Sequence, residues 1–154
     1  CASGLTLGEA ACRVAEICRR YTVSDITASP DLWNRRQDSG RAGIAIMQEA
    51  AALPPMRAAD NRRIAGWRVL REHLHGSDGR APLRVARQCH ELISCMQALL
   101  CDPRIPEDAA DTPHAVTHAP EALRYAVMSR TAYTDAPAQT VPFRFAQRGD
   151  TIWE

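Results

Sequence analysis

The chain has 154 residues, an apolar share of 45% and a formal net charge of +1. That is enough for one domain with a core, and it lacks the basic excess that marks general nucleic-acid binders. All nineteen basic side chains are arginines. A phosphate-cradling P-loop requires a lysine, so no ATPase motor of that kind resides in these residues. No apolar run approaches membrane-spanning length, and the opening Cys-Ala-Ser-Gly lacks the basic start and apolar middle of a signal peptide. With Cys1 where a methionine would stand, the sequence is expected to be a piece of a longer protein.

Thr6-Leu-Gly-Glu9 is a capping box, and the apolar spacing after it predicts a helix to Arg20. Tyr21 to Ala28 is rich in β-branched residues and stops at Ser29-Pro30, which predicts a strand, followed by a loop from Pro30 to Gly40. A second helix spans Ile44 to Ala52 and ends at Pro54-Pro55. Asp60 is placed to cap a third helix with Ile64, Trp67, Leu70 and Leu74 on its inner face. Gly76 to Gly79 reads as a turn, Leu83 to Arg87 as a short strand, and Glu91 to Leu100 as a helix turning Ile93, Met96 and Leu100 inward. A polar loop leads to a last helix at His118 to Arg130, where Pro120 fits only the first turn and makes Thr117 the N-cap. Residues 131–154 lose helical periodicity and read as a loose tail, with a short strand at Val141 to Phe145 as its one candidate element. Strands alternating with helices imply an α/β layer with parallel pairing.

Cys12 and Cys18 are six residues apart, as are Cys89, Cys95 and Cys101, with no C-x-x-C among them. Six residues rotate a helical side chain by about 240°, so the thiols scatter over different faces. They are expected to be reduced and free of a metal cluster.

The richest stretch is His118-Ala-Pro-Glu121-Ala-Leu-Arg124-Tyr125. His118 and Glu121 are three apart and point the same way on a helix, whose positive end would favour the ionised carboxylate. This stretch resembles the closing motif of the nuclease domain of tailed-phage terminase large subunits. Four further segments are similar to that family in the same order: Thr27 to Gly40 around Asp31, Asn61-x-Arg63 with Gly66-Trp67, Pro82 to Ala86 with Cys89, and Asp102 with Pro106-Glu107-Asp108. The resemblance runs from about residue 5 to residue 130. It implies that residues 1–130 are the C-terminal part of a ribonuclease-H-like α/β nuclease domain whose first strands lie upstream, with 131–154 a C-terminal tail.

The resemblance further implies an endonuclease that cuts concatemeric double-stranded viral DNA during packaging, in the cytoplasm of the host. Two Mg²⁺ or Mn²⁺ ions held by carboxylates would supply the attacking hydroxide and stabilise the leaving oxygen. Asp31 stands for the family's second acid and Glu121 for its third, both as metal ligands, while the first would lie upstream. Asp25, within the predicted strand, is the alternative to Asp31. His118 would ligate a metal through solvent, orient Glu121 or assist proton transfer; the competing reading is a partly buried histidine capping its own helix. Because Pro120 starts the helix after His114, that histidine is not expected to share a face with His118, and His73 and His75 read as solvated.

Arg35, Arg36 and Arg41 around the Asp31 loop, with Arg62 on the third helix, are candidates for DNA phosphates. An ordinary solvated face accounts equally for Arg62, Arg63, Arg68 and Arg71. Trp33 and Trp67 are expected to pack. The portal protein and the small terminase subunit would be partners, and ATP would serve only the motor domain. Two alternatives stand beside this reading: another ribonuclease-H-like nuclease or junction resolvase, and a non-catalytic module that binds portal or small subunit.

Overall fold

The computed structural model describes residues 4–37, 39–75 and 81–134. Thr6 opens α1 (Leu7–Cys18) through the expected capping box: its hydroxyl accepts from the Glu9 N–H at 3.3 Å, and Glu9 Oε2 accepts from the Thr6 N–H at 2.8 Å. β1 (Ile26–Ala28) runs into a 3-10 turn at Pro30–Trp33, then α2 (Gly43–Ala50) and β2 (Met56–Ala58). The two strands pair in parallel, Ile26 opposite Met56 and Ala28 opposite Ala58, with α2 inside the crossover that parallel pairing requires. α3 (Arg63–His75), α4 (His90–Ala98) and α5 (His114–Thr134) follow. α1 packs on α2, while α5 packs on α3, α4 and β1. This mix of helix and parallel strand is compatible with the α/β class.

Four elements differ from expectation. The first strand covers only the end of Tyr21 to Ala28: Tyr21 is spent on the end of α1, its N–H bonding the Cys18 carbonyl, and Asp25 ion-pairs with Arg57 across the strands at 2.6 Å. The second strand is β2 rather than Leu83 to Arg87. Met56-Arg57-Ala58 has no β-branched residue to betray it, yet the ladder continues at both ends, Ile26 N–H to Pro55 O and Ala59 N–H to Ala28 O. Leu83 to Arg87 alternates in exposure, but the Leu83 N–H goes to the His73 carbonyl, so this segment follows α3 instead of joining the sheet.

α5 begins four residues before the predicted start. Thr117 is therefore no N-cap; its hydroxyl donates to the His114 carbonyl at 3.1 Å, and Pro120 sits inside the helix. An interior proline forfeits a ladder bond at a cost of about 3 kcal/mol. Pro120 is fully buried, and packing offsets that loss. The Gly76–Gly79 turn and the Val141–Phe145 strand lie outside the described residues.

The core is small: Ala11 and Ala15 from α1, Met47 from α2, Leu70 from α3, Cys95 from α4, and Val127 and Met128 from α5. No helix of the described residues is long and apolar enough to cross a membrane. On α3 Leu70 is buried as expected and Trp67 and Leu74 are half-buried, while Gly66 is buried and Ile64, expected inward, is 47% exposed. Leu100, expected inward on α4, lies beyond that helix and is exposed. Leu70→Ala should therefore lower stability by about 2–5 kcal/mol in urea unfolding, whereas Ile64→Ala should change it by less than about 0.5 kcal/mol.

Candidate functional site

Arg124, on the eleventh residue of α5, is wholly buried. Its guanidinium donates to Glu121 Oε2 through Nε at 2.8 Å and Nη2 at 2.5 Å, and Nη2 also donates to Asn61 Oδ1 at 3.1 Å. The Tyr125 hydroxyl shares that Asn61 oxygen at 3.3 Å. The Trp67 and Tyr125 rings lie 5.6 and 4.5 Å from the guanidinium carbon, within cation–π range. Among the described residues Nη1 has no hydrogen-bond partner, and it lies against Gly66.

Arg63 closes the cluster from the first turn of α3. It donates to Glu121 Oε1 at 2.6 Å, to both oxygens of Asp108 at 3.0–3.1 Å and to the Ala109 carbonyl at 2.8 Å, and it pairs with the exposed Asp111 at 3.0 Å. Asp108 is presented by a loop tied at its ends, Cys101 bridging Ala109 and Asp102 accepting from the N–H groups of Arg104 and Ile105. Asp108 also accepts from the Trp67 indole at 2.9 Å. Burial pushes the Asp108 carboxyl up, but the Arg63 bonds, the Ala109 N–H and the Trp67 indole outweigh it and hold the group below its ordinary value.

Two expectations change here. Arg63 is not on the solvated face; its side chain is 29% exposed and turned into carboxylates. Glu121 is the eighth residue of α5, beyond the reach of the helix-end field, and its side chain ion-pairs with two guanidiniums instead. Arg124 and Asp108 carry more of this arrangement than the sequence reading gave them. Two signals pointed there: Glu121 and Arg124 at ion-pair spacing, and a glycine inside an otherwise good helix.

Asp31 is exposed on the 3-10 turn just past β1 and accepts from Ser29 Oγ at 3.3 Å and Asn34 Nδ2 at 3.4 Å. His118 is exposed inside α5 and lies beside His114 with the rings nearly parallel, and the bonds to Glu121 come from Arg63 and Arg124. Those two histidines do share a helix face, contrary to expectation, because α5 starts at His114. Arg41 pairs with Glu49 and Arg62 with Asp60 at 2.6 Å, both on the surface, while Arg35 and Arg36 are exposed on the bend that Arg35 and Ala42 close. Arg62, through its side chain and its backbone N–H, holds Asp60 below its usual range.

The carboxylate donors of Asp31 and Glu121 suit Mg²⁺ or Mn²⁺ chemically. Their arrangement is a different matter. Both Glu121 oxygens accept guanidinium N–H groups, one at Oε1 and two at Oε2, and among the described residues no group of three or more His, Cys, Asp or Glu side chains is placed to hold a metal ion. No family model, curated protein or solved structure matches the chain.

Gly66 is the backbone seat of the cluster. A Cβ there would meet Arg124 Cγ and Cδ at 2.9 Å and Nη1 at 3.0 Å, and Arg124 is pinned along its length. Gly66→Ala should cost about 1–3 kcal/mol in urea unfolding, although alanine gains about 1 kcal/mol over glycine in an open helix. In an Arg124→Ala background the same substitution should become neutral or stabilising.

Proposed function

We propose that the chain is the C-terminal part of a terminase large-subunit nuclease domain, a metal-dependent endonuclease of ribonuclease-H-like fold that cuts concatemeric double-stranded viral DNA. One observation carries this reading. Three segments that resemble the family separately, Asn61 to Trp67, Pro106 to Asp108 and His118 to Tyr125, interlock through Arg63, Asp108, Glu121, Arg124 and Asn61. A chance likeness scattered along the chain would have no reason to converge on one buried cluster.

In this reading Asp31 and Glu121 are the second and third acids, and Mg²⁺ or Mn²⁺ would supply an activated water and charge stabilisation at the phosphate. Asp31 stands at the C-terminal edge of a parallel pair, where α/β sites gather their chemistry. Arg124 fixes one side of the Glu121 carboxylate, and the partly exposed Arg63 holds the other. A metal would reach Glu121 at Oε1, which accepts a single N–H bond from the more exposed Arg63. Exposed Arg35 and Arg36 beside the Asp31 turn would meet phosphates without reading bases. The pairing of Glu121 with two guanidiniums also favours a second reading, in which these residues are a structural module that binds portal or small terminase subunit.

Plasmid nicking with Mg²⁺ or Mn²⁺ separates the two. The present chain should cut little or not at all, and a chain extended upstream to include the first acid should nick with little sequence preference. In that longer protein Asp31→Asn should reduce cleavage by at least about a hundredfold with its melting temperature unchanged, since Asp31 is exposed and asparagine retains the bond from Asn34. Glu121→Gln should abolish cleavage but also lower stability, because it removes the counter-charge of two guanidiniums. His118→Ala should weaken cleavage less than either. Wild-type rates in both acid variants would overturn the nuclease reading.

A further inference from the structure

We propose that His114 and His118 form a two-imidazole chelate for a late first-row transition-metal ion, Ni²⁺, Cu²⁺ or Zn²⁺, at the start of α5. Four residues apart on one helix, the two side chains share a face. Their ring centroids are 6.3 Å apart and the ring planes differ by 17°. Both residues are exposed, and among the described residues neither ring has a hydrogen-bond or ion-pair partner. The nitrogen lone pairs are thus available without breaking an existing contact.

Two imidazoles bound to one ion at the usual metal–nitrogen distance place their donor nitrogens about 3 Å apart. Rotation about the side-chain torsions of two exposed residues closes that gap, with α5 left as it is. Water would complete the coordination, since Glu121, one turn further on, is held by Arg63 and Arg124. Neutral imidazole suits Ni²⁺, Cu²⁺ and Zn²⁺, whereas Mg²⁺ demands oxygen donors. The chelate is therefore separate from any carboxylate site and does not rest on the nuclease reading. The positive end of α5 opposes a cation there and keeps the affinity moderate.

Calorimetric titration of the whole chain with Ni²⁺ at pH 7.5 tests this. One equivalent should bind, and His114→Ala and His118→Ala should each weaken it by about tenfold or more. Alanine is a good helix former, and circular dichroism should show α5 intact in both variants. His73→Ala and alkylation of the thiols should leave binding unchanged. Wild-type affinity in His118→Ala, or loss of the ion on alkylation, would overturn the proposal.

Discussion

A buried guanidinium is costly unless its charge and its N–H groups are met, and Arg124 imposes that requirement on the whole second half of the chain. An unpaired ion in the interior costs several kcal/mol. Glu121 meets the charge from the same helix, but at 15% exposure it is nearly buried itself. Arg63 then reaches in from α3 and requires Asp108, so the part-buried centre holds two positive and two negative side chains, with the exposed Asp111 at its edge. Asn61 takes a further N–H, and the faces of Trp67 and Tyr125 lie within cation–π range. Gly66 supplies the room. Each of these residues has its place because Arg124 is buried.

The cluster also explains why so small an apolar core suffices to position α3, α5 and the 101–109 loop. Such polar networks are strong when complete and fragile when one member is removed. They specify geometry more than they add stability, because directional bonds admit few alternative packings while apolar contacts admit many. For Glu121 this creates a tension. A carboxylate that holds a fold together is already charge-compensated, and a cation bound there meets the like charges of Arg63 and Arg124. Asp31 carries no such burden: its partners are on its own exposed turn.

Local signals were legible in the sequence, and long-range ones were not. The capping box at Thr6 is a short-range pattern with two reciprocal bonds, and it forms as read. α2, α3 and α4 follow their apolar spacing and breakers to within two residues at each end. β2 was hidden because a three-residue strand exists only through its partner, and Met-Arg-Ala has no propensity of its own. Pro120 misled for a related reason: the rule that confines proline to the first turn is a local preference, and burial overrides it here. Of the candidate site, Glu121 and its neighbours could be singled out by type and spacing. The inward turn of Arg63 could not, since it depends on Asp108, 45 residues away.

The most direct test of this account is a double-mutant cycle across α3 and α5, measuring urea unfolding of Arg63→Gln, Glu121→Gln and the combined variant. If the pair is a partly buried bond inside one connected network, the coupling energy should be about 1.5–3 kcal/mol. The double variant would then be far less destabilised than the sum of the singles. A coupling within about 0.5 kcal/mol of zero would mean that the two side chains act independently, and would contradict the claim that this cluster joins the helices.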